Sequence, residues 1–286
     1  MDFEYVECPR DAMQGIKELI PTDNKIAYLK ALLDTGFDVI DCGSFVSPTA
    51  VPQMADTAQL LNAVLDYQHR SKLLVIIANL RGAIRACAYP NINFLGYPFS
   101  VSETFQKRNT NSTRANAFIE LSKIQQVASV TNREVVAYIS MGFGNPYGES
   151  YSIDLVSQWS EKIHKLGIST ISLADTTSQA SPELIFQVFS RLKMEFPKVK
   201  FGAHFHAPVE NWKEKLDAAI TAGCRRFDGA ILGFGGCPFA KDKMVGNIPT
   251  EQVLKYLRKK YNFDKIEITN ELIQLAQKTY NYKRWN

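Results

Sequence analysis

The sequence predicts an α/β fold, a (β/α)8 TIM barrel with closing C-terminal helices. Three observations predict it. Eight short β-rich runs alternate with helix-length amphipathic stretches along the 286 residues. Most of these runs lack clean apolar–polar alternation, as expected for parallel strands covered on both faces. The unusual polar residues cluster just past the predicted strands, the rim at which such barrels place their chemistry.

The first strand is expected at residues 3–6, where aromatic and β-branched side chains meet. A helix over 23–33 follows, capped by Thr22 or Asp23 and stopped near Gly36. Strand two falls at 37–41 and a helix at 57–65. The apolar run 73–78 is strand three, and the segment 81–89 after it is short and poorly periodic. Strand four is expected at 92–95, followed by a helix at 113–129. Strand five spans 134–139, with a helix at 153–166, and strand six spans 170–173, with a helix opening at Pro182 and running to 194. Strand seven covers 200–204, and the helix after it, 209–222, is closed by Gly223. Strand eight covers 226–231, and 251–260 and 268–280 form closing helices. No Pro/Ser-rich linker or low-complexity segment divides the chain, so residues 1–286 are read as one catalytic domain.

Composition narrows the function. A net charge of +4 with dispersed Lys and Arg does not suit a nucleic-acid partner. No apolar run approaches the roughly 18 residues a membrane span needs. The five cysteines form no CxxC pair, so neither a disulfide framework nor a zinc knuckle is expected. Asp2 and Glu4 stand where a targeting leader avoids acids, which points to the cytoplasm and reduced thiols.

His204 and His206 are the sharpest local feature. Residues i and i+2 of a strand share a face, so the two imidazoles can converge on one ion, or hydrogen-bond in a polar mouth. Asp11 supplies a carboxylate candidate and Asn247 an amide oxygen. A mixed N/O set without thiolates suits Mg²⁺ or Mn²⁺, with Zn²⁺ also possible. Cys237 follows Gly233, Gly235 and Gly236, which fit either a mobile loop presenting the thiol or a tight surface turn.

Taken together, the motifs resemble the 3-hydroxy-3-methylglutaryl-CoA lyase family. Pro9-Arg10-Asp11-Ala12-Met13-Gln14 matches its P-R-D-G-L-Q segment, and Ser44-Phe45-Val46-Ser47-Pro48 with Val51-Pro52-Gln53-Met54 matches its S-F-V-S-P…V-P-Q-M. His204-Phe205-His206 matches its H-x-H. Gly233-Phe234-Gly235-Gly236-Cys237-Pro238, with Gly246-Asn247 and Thr250-Glu251, matches G-x-G-G-C-P…G-N-x-x-T-E. The likeness runs from about residue 4 to about residue 255.

The resemblance implies a divalent-metal-dependent carbon–carbon lyase acting on an acyl-CoA, a homodimer and a place in leucine degradation. It implies Asp11, His204, His206 and Asn247 as metal ligands. Arg10 is implied as the group that stabilises the enolate, Cys237 as the acid that returns a proton to it, and His204 or Asp11 as the proton acceptor. Asp41 stands where the family has Glu. Gln14, Asp175 and Thr176 are the expected substrate contacts, Asp175 lying in Ala174-Asp175-Thr176 against the family's G-D-T. The main departure is His206-Ala207-Pro208 where the family reads H-D-T. That change leaves open a paralogue that binds metal and acyl-CoA without turnover, and related barrel enzymes add an aldolase or a Claisen-type acyltransferase as alternatives.

Overall fold

The structure, a computed structural model, describes residues 2–208, 210–236 and 245–280. Eight parallel strands close into a barrel in sequence order: β1 (Glu4–Glu7), β2 (Val39–Ser44), β3 (Lys72–Ile76), β4 (Ile92–Ser100), β5 (Glu134–Ser140), β6 (Thr170–Asp175), β7 (Lys200–Phe205) and β8 (Arg226–Gly229). Closure is the pairing of β1 with β8, Tyr5 opposite Phe227 and Val6 opposite Asp228. The (β/α)8 reading therefore holds, and the strand count and order follow the sequence periodicity.

Helices cover the outside: α1 (Pro9–Gln14), α2 (Thr22–Thr35), α3 (Thr57–Ala63), α4 (Leu80–Cys87), α5 (Glu103–Thr110), α6 (Arg114–Val130), α7 (Ile153–Lys165), α8 (Pro182–Glu195) and α9 (Trp212–Thr221). The closing helices are α10 (Thr250–Tyr261) and α11 (Asn270–Tyr280). Side-chain caps start five of them: Asn79, Ser102, Thr113, Ser152 and Ser181 each accept from a backbone N–H three residues on. Thr22, expected as a cap, is instead the first helical residue, and its hydroxyl donates to Asp56 Oδ2 at 2.8 Å. Gly36 ends α2 at φ +84°, a left-handed stop.

Most of the core lies between barrel and helices. A smaller apolar cluster fills the barrel interior, with Val6, Val39, Leu74, Phe94, Val136 and Tyr138 as its inward residues. It acts as a plug beneath the C-terminal rim, so the rim faces packed side chains and not a channel. Among the described residues no helix is long and apolar enough to cross a membrane. Cys8, Cys42, Cys87 and Cys224 are free thiols.

Candidate active site

The site grows from the end of β1. Pro9 starts α1 directly after the strand, its fixed φ suiting the first helical turn. That turn lays Arg10, Asp11 and Gln14 on the barrel mouth. Arg10 is gripped by Asp41 on β2: Nε donates to both carboxylate oxygens at 3.2 and 3.0 Å, and Nη2 donates to Oδ2 at 2.6 Å. Its Nη1 donates to Asp11 Oδ1 at 3.1 Å and to Gln14 Oε1 at 2.8 Å. Gln14 in turn donates Nε2 to Asp11 Oδ1 at 2.7 Å. The guanidinium is thus held in a fixed plane by the buried Asp41 and Asp11 and the half-buried Gln14. The shorter Asp41 reaches Arg10 without the extra methylene of the family's Glu.

β7 carries His204 and His206 to the same mouth. Their rings lie 5.0 Å apart between centroids, at 89°. One ligand atom from each of Asp11, His204 and His206 falls within 4.8 Å of the others, and all three residues are buried. Asn247 pairs by a backbone bridge with His206 and donates Nδ2 to Asp11 Oδ2 at 2.7 Å and to the Phe234 carbonyl at 2.8 Å. The four residues expected to share an ion therefore stand together. His206 Nδ1 and Asn247 Oδ1 are buried and have no hydrogen-bond partner among the described residues, so two acceptor atoms remain for a cation. The donor set, two imidazoles, a carboxylate and an amide oxygen, fits a divalent metal of the borderline-to-hard class.

Electrostatics favour the same use. Burial would raise the Asp11 carboxyl, but Arg10 and the two imidazoles outweigh it and hold it down at about 2. Burial and the neighbouring His204 lower His206 to about 4, so its imidazole stands neutral. Burial also opposes the charged form of His204, yet Asp228 beside it raises it overall. The glycine of the next loop matters here. Gly235 adopts φ +104°, and a Cβ there would sit 2.5 Å from Asn247 Nδ2 and 3.0 Å from Asp11 Oδ2. No larger residue fits over this group.

The mouth opens into a cleft of about 490 Å³. Arg10, Asp11, Gln14, Thr176, His204 and His206 all line it, together with Ser44 and Ser140 from β2 and β5 and Arg108 from α5. The Thr176 hydroxyl accepts from the Met141 N–H at 2.9 Å. Asp175 does not line the cleft. Alternation along β6 turns it to the opposite face from Ala174 and Thr176, where Lys215 Nζ donates to it at 2.6 Å and the Gln179 and Ala180 N–H groups cap it. Its role is to pin the turn after β6 and not to touch a ligand in the cleft. Lys215→Met should leave Asp175 buried without its cation and destabilise the fold by about 3–5 kcal/mol. Urea unfolding measures this, and an unchanged midpoint would count against the pairing. Cys237 lies outside the described residues.

The sequence reading passed over several groups. Asp228 and Arg226 stand on β8 directly beneath the mouth, and their signal was a pair of charges at i and i+2 in an otherwise apolar run. Glu7 is also buried, accepting from the Ile231 N–H at 2.8 Å and from Thr250 Oγ1 at 2.6 Å, so it ties β1 to the start of the glycine loop and to α10. Burial raises Glu7 to about 8 from 4.5. Between these values the folded protein keeps a proton that the unfolded chain releases, so this residue's contribution to stability falls as pH climbs through that window. Glu7→Gln should therefore gain thermal stability relative to the wild type on going from pH about 5 to pH about 8.5. A gap in melting temperature that does not change with pH would count against this account.

Comparison with known proteins agrees with this geometry. The HMGL-like family profile matches residues 6–278. The chain is 31% identical to the cytoplasmic 3-hydroxy-3-methylglutaryl-CoA lyase of Rattus norvegicus over 258 residues, covering 89% of this chain and 74% of that one. It is 31% identical to the hydroxymethylglutaryl-CoA lyase of Bacillus subtilis, covering 87% of this chain and 82% of that one. Among solved structures it superposes on an HMG-CoA lyase from A. baumannii, in complex with coenzyme A and 3-methylmalate, with a TM-score of 0.89 at 30% identity, covering 98% of this chain and 92% of that one. A family profile matched over nearly the whole chain, and relatives 31% identical over most of it, place this protein in the HMGL-like family.

Proposed function

We propose that the protein is a divalent-metal-dependent lyase that cleaves 3-hydroxy-3-methylglutaryl-CoA, or a close 3-hydroxyacyl-CoA, to acetyl-CoA and a keto acid. For the named substrate the keto acid is acetoacetate. The observation that carries this reading is the convergence of Asp11, His204, His206 and Asn247 beside the fixed Arg10 guanidinium on the wall of one cleft. The solved relative holding coenzyme A and a small dicarboxylate supports an acyl-CoA ligand for that cleft. A cytoplasmic location is supported by a relative named for it, although other relatives are named mitochondrial.

Asp11, His204, His206 and Asn247 would hold the ion, Mg²⁺ or Mn²⁺ by donor type. When bound, the ion supplies a Lewis acid that makes a nearby hydroxyl more acidic. Cleavage needs the C3 hydroxyl to lose its proton while the C2–C3 bond electrons move onto the thioester. Asp11 and His206 are weak bases at neutral pH. His204 is the group of the three whose surroundings raise its proton affinity; in this reading it accepts the hydroxyl proton on Nε2 when that atom is not holding the ion, which Asp11, His206 and Asn247 would then hold. Arg10, locked by Asp41, puts positive charge where the enolate oxygen develops. Cys237 then returns a proton to the enolate carbon and releases acetyl-CoA. Ala207 is buried and places no acid beside His206.

A panel of 3-hydroxyacyl-CoA thioesters, assayed with Mg²⁺ or Mn²⁺ added and then chelated, tests this. Metal-dependent release of acetyl-CoA from the 3-hydroxy-3-methylglutaryl thioester is expected. Binding without cleavage across the panel would move the protein to a non-catalytic acyl-CoA binder. Cleavage of a 4-hydroxy-2-oxoacid in its place would make it an aldolase.

A further inference from the structure

We propose that Arg226, on the floor of the barrel, is a positioning residue for His204, acting through Asp228. The inference rests on the lyase reading above and concerns residues that touch neither the cleft nor its contents.

The barrel interior is mainly apolar, yet Arg226 is 1% exposed and Asp228 is fully buried within it. Burying a guanidinium is costly unless its hydrogen bonds are met. Here Nη1 donates to Asp228 Oδ1 at 2.8 Å, and Nε donates to Glu4 Oε1 at 3.0 Å. The neighbouring strand β7 leaves room for it. A Cβ on Gly202 would sit 3.0 Å from Arg226 Nη1 and 3.2 Å from Ser172 Oγ. Two leucines would fill this space at lower desolvation cost, so the charged pair is an expensive solution if packing alone is its purpose.

What the pair does is visible one residue higher. With Oδ1 committed to Arg226, the carboxylate plane of Asp228 is fixed and only Oδ2 faces upward. Oδ2 lies 3.3 Å from His204 Nδ1, and the Ser172 hydroxyl donates to the same oxygen at 3.4 Å. A carboxylate held by a guanidinium accepts and does not donate. His204 must then carry its proton on Nδ1, which leaves the Nε2 lone pair turned toward Asp11 and His206, available either to an ion or to the hydroxyl proton. A carboxylate behind a ligating histidine is a recurrent way to set tautomer and ring orientation. Here that carboxylate is in turn fixed by an arginine. Arg226 itself borders a separate depression of about 260 Å³ at the opposite end of the barrel, shared with Glu4 and Lys200.

Ring ¹⁵N spectra of the metal-free protein, recorded at alkaline pH where the imidazoles are neutral, read the His204 tautomer directly. The wild type should show the Nδ1–H form, and a predominant Nε2–H form overturns the proposal whatever the variants do. Arg226→Met should mix the two tautomers and weaken Mn²⁺ binding by calorimetry roughly 10–100-fold, with Arg226→Lys restoring most of the affinity. A merely structural role would lower the urea midpoint and leave tautomer and Mn²⁺ affinity as they are, and that result also overturns it. If Arg226→Met does not fold, Arg226→Lys and the wild-type tautomer decide the question. A wild type that binds no Mn²⁺ defeats the lyase reading instead. The tautomer then judges Arg226 by itself: its loss in the methionine variant supports the role, and its retention refutes it.

Discussion

Asp11→Ala is expected to weaken Mn²⁺ binding by more than about 100-fold, beyond the range usual for partners that only support a ligand. Turnover should fall to that of the chelated protein. The carboxylate is the one anionic donor in the group and stands at the centre of its hydrogen bonds. It accepts from Arg10, Gln14 and Asn247, and its removal takes one hydrogen bond from each of those donors. The variant should therefore also lose stability, so calorimetry must be run on protein shown to be folded. Unchanged Mn²⁺ affinity in a folded variant would remove Asp11 from the ligand set.

Cys237→Ala should give the opposite pattern. Metal affinity is expected to stay at the wild-type value, while turnover falls about 10²–10⁴-fold, the usual worth of a positioned acid. The argument comes from chemistry. The enolate carbon must receive a proton, and the buried thiols Cys8 and Cys42 are both pushed upward by burial and do not line the cleft. Cys237 follows the glycines that end on the Asp11–Asn247 pair, so its loop starts at the site. A wild-type rate in the alanine variant would exclude the thiol from the mechanism.

The fold was legible because eight apolar runs of the right length survive in the sequence, and parallel strands need little else. The losses have physical reasons. Strand four was expected to stop at residue 95, yet β4 continues through Gly96 and Pro98 to Ser100. A Cβ at Gly96 would lie 2.6 Å from Ile76 Cδ1, so the glycine there makes space for interior packing. Strand two was expected at 37–41 and lies at Val39–Ser44, where a register shift between Asp41 and Gly43 disturbs the pattern. The helix α5 was missed because Glu103 to Thr110 is almost wholly polar and carries no apolar stripe.

At the site, residues that announce themselves by type and spacing were legible: Arg10, Asp11, His204, His206 and Asn247. Asp175 was not, because whether it faces the cleft depends on the strand's parity, and its partner Lys215 lies 40 residues away on α9. Asp228 was missed for the converse reason. It shares the inward face of β8 with Arg226, a fact that only the closed register with β1 and β7 makes plain.

The most direct test of the central claim is the initial rate of acetyl-CoA release from 3-hydroxy-3-methylglutaryl-CoA, measured on metal-stripped protein as Mn²⁺ is titrated in. The geometry at Asp11, His204, His206 and Asn247 predicts no release without metal, release that rises to saturation as one site fills, and loss again on chelation. The same rate in chelator as in Mn²⁺, or no release at saturating metal, would contradict it.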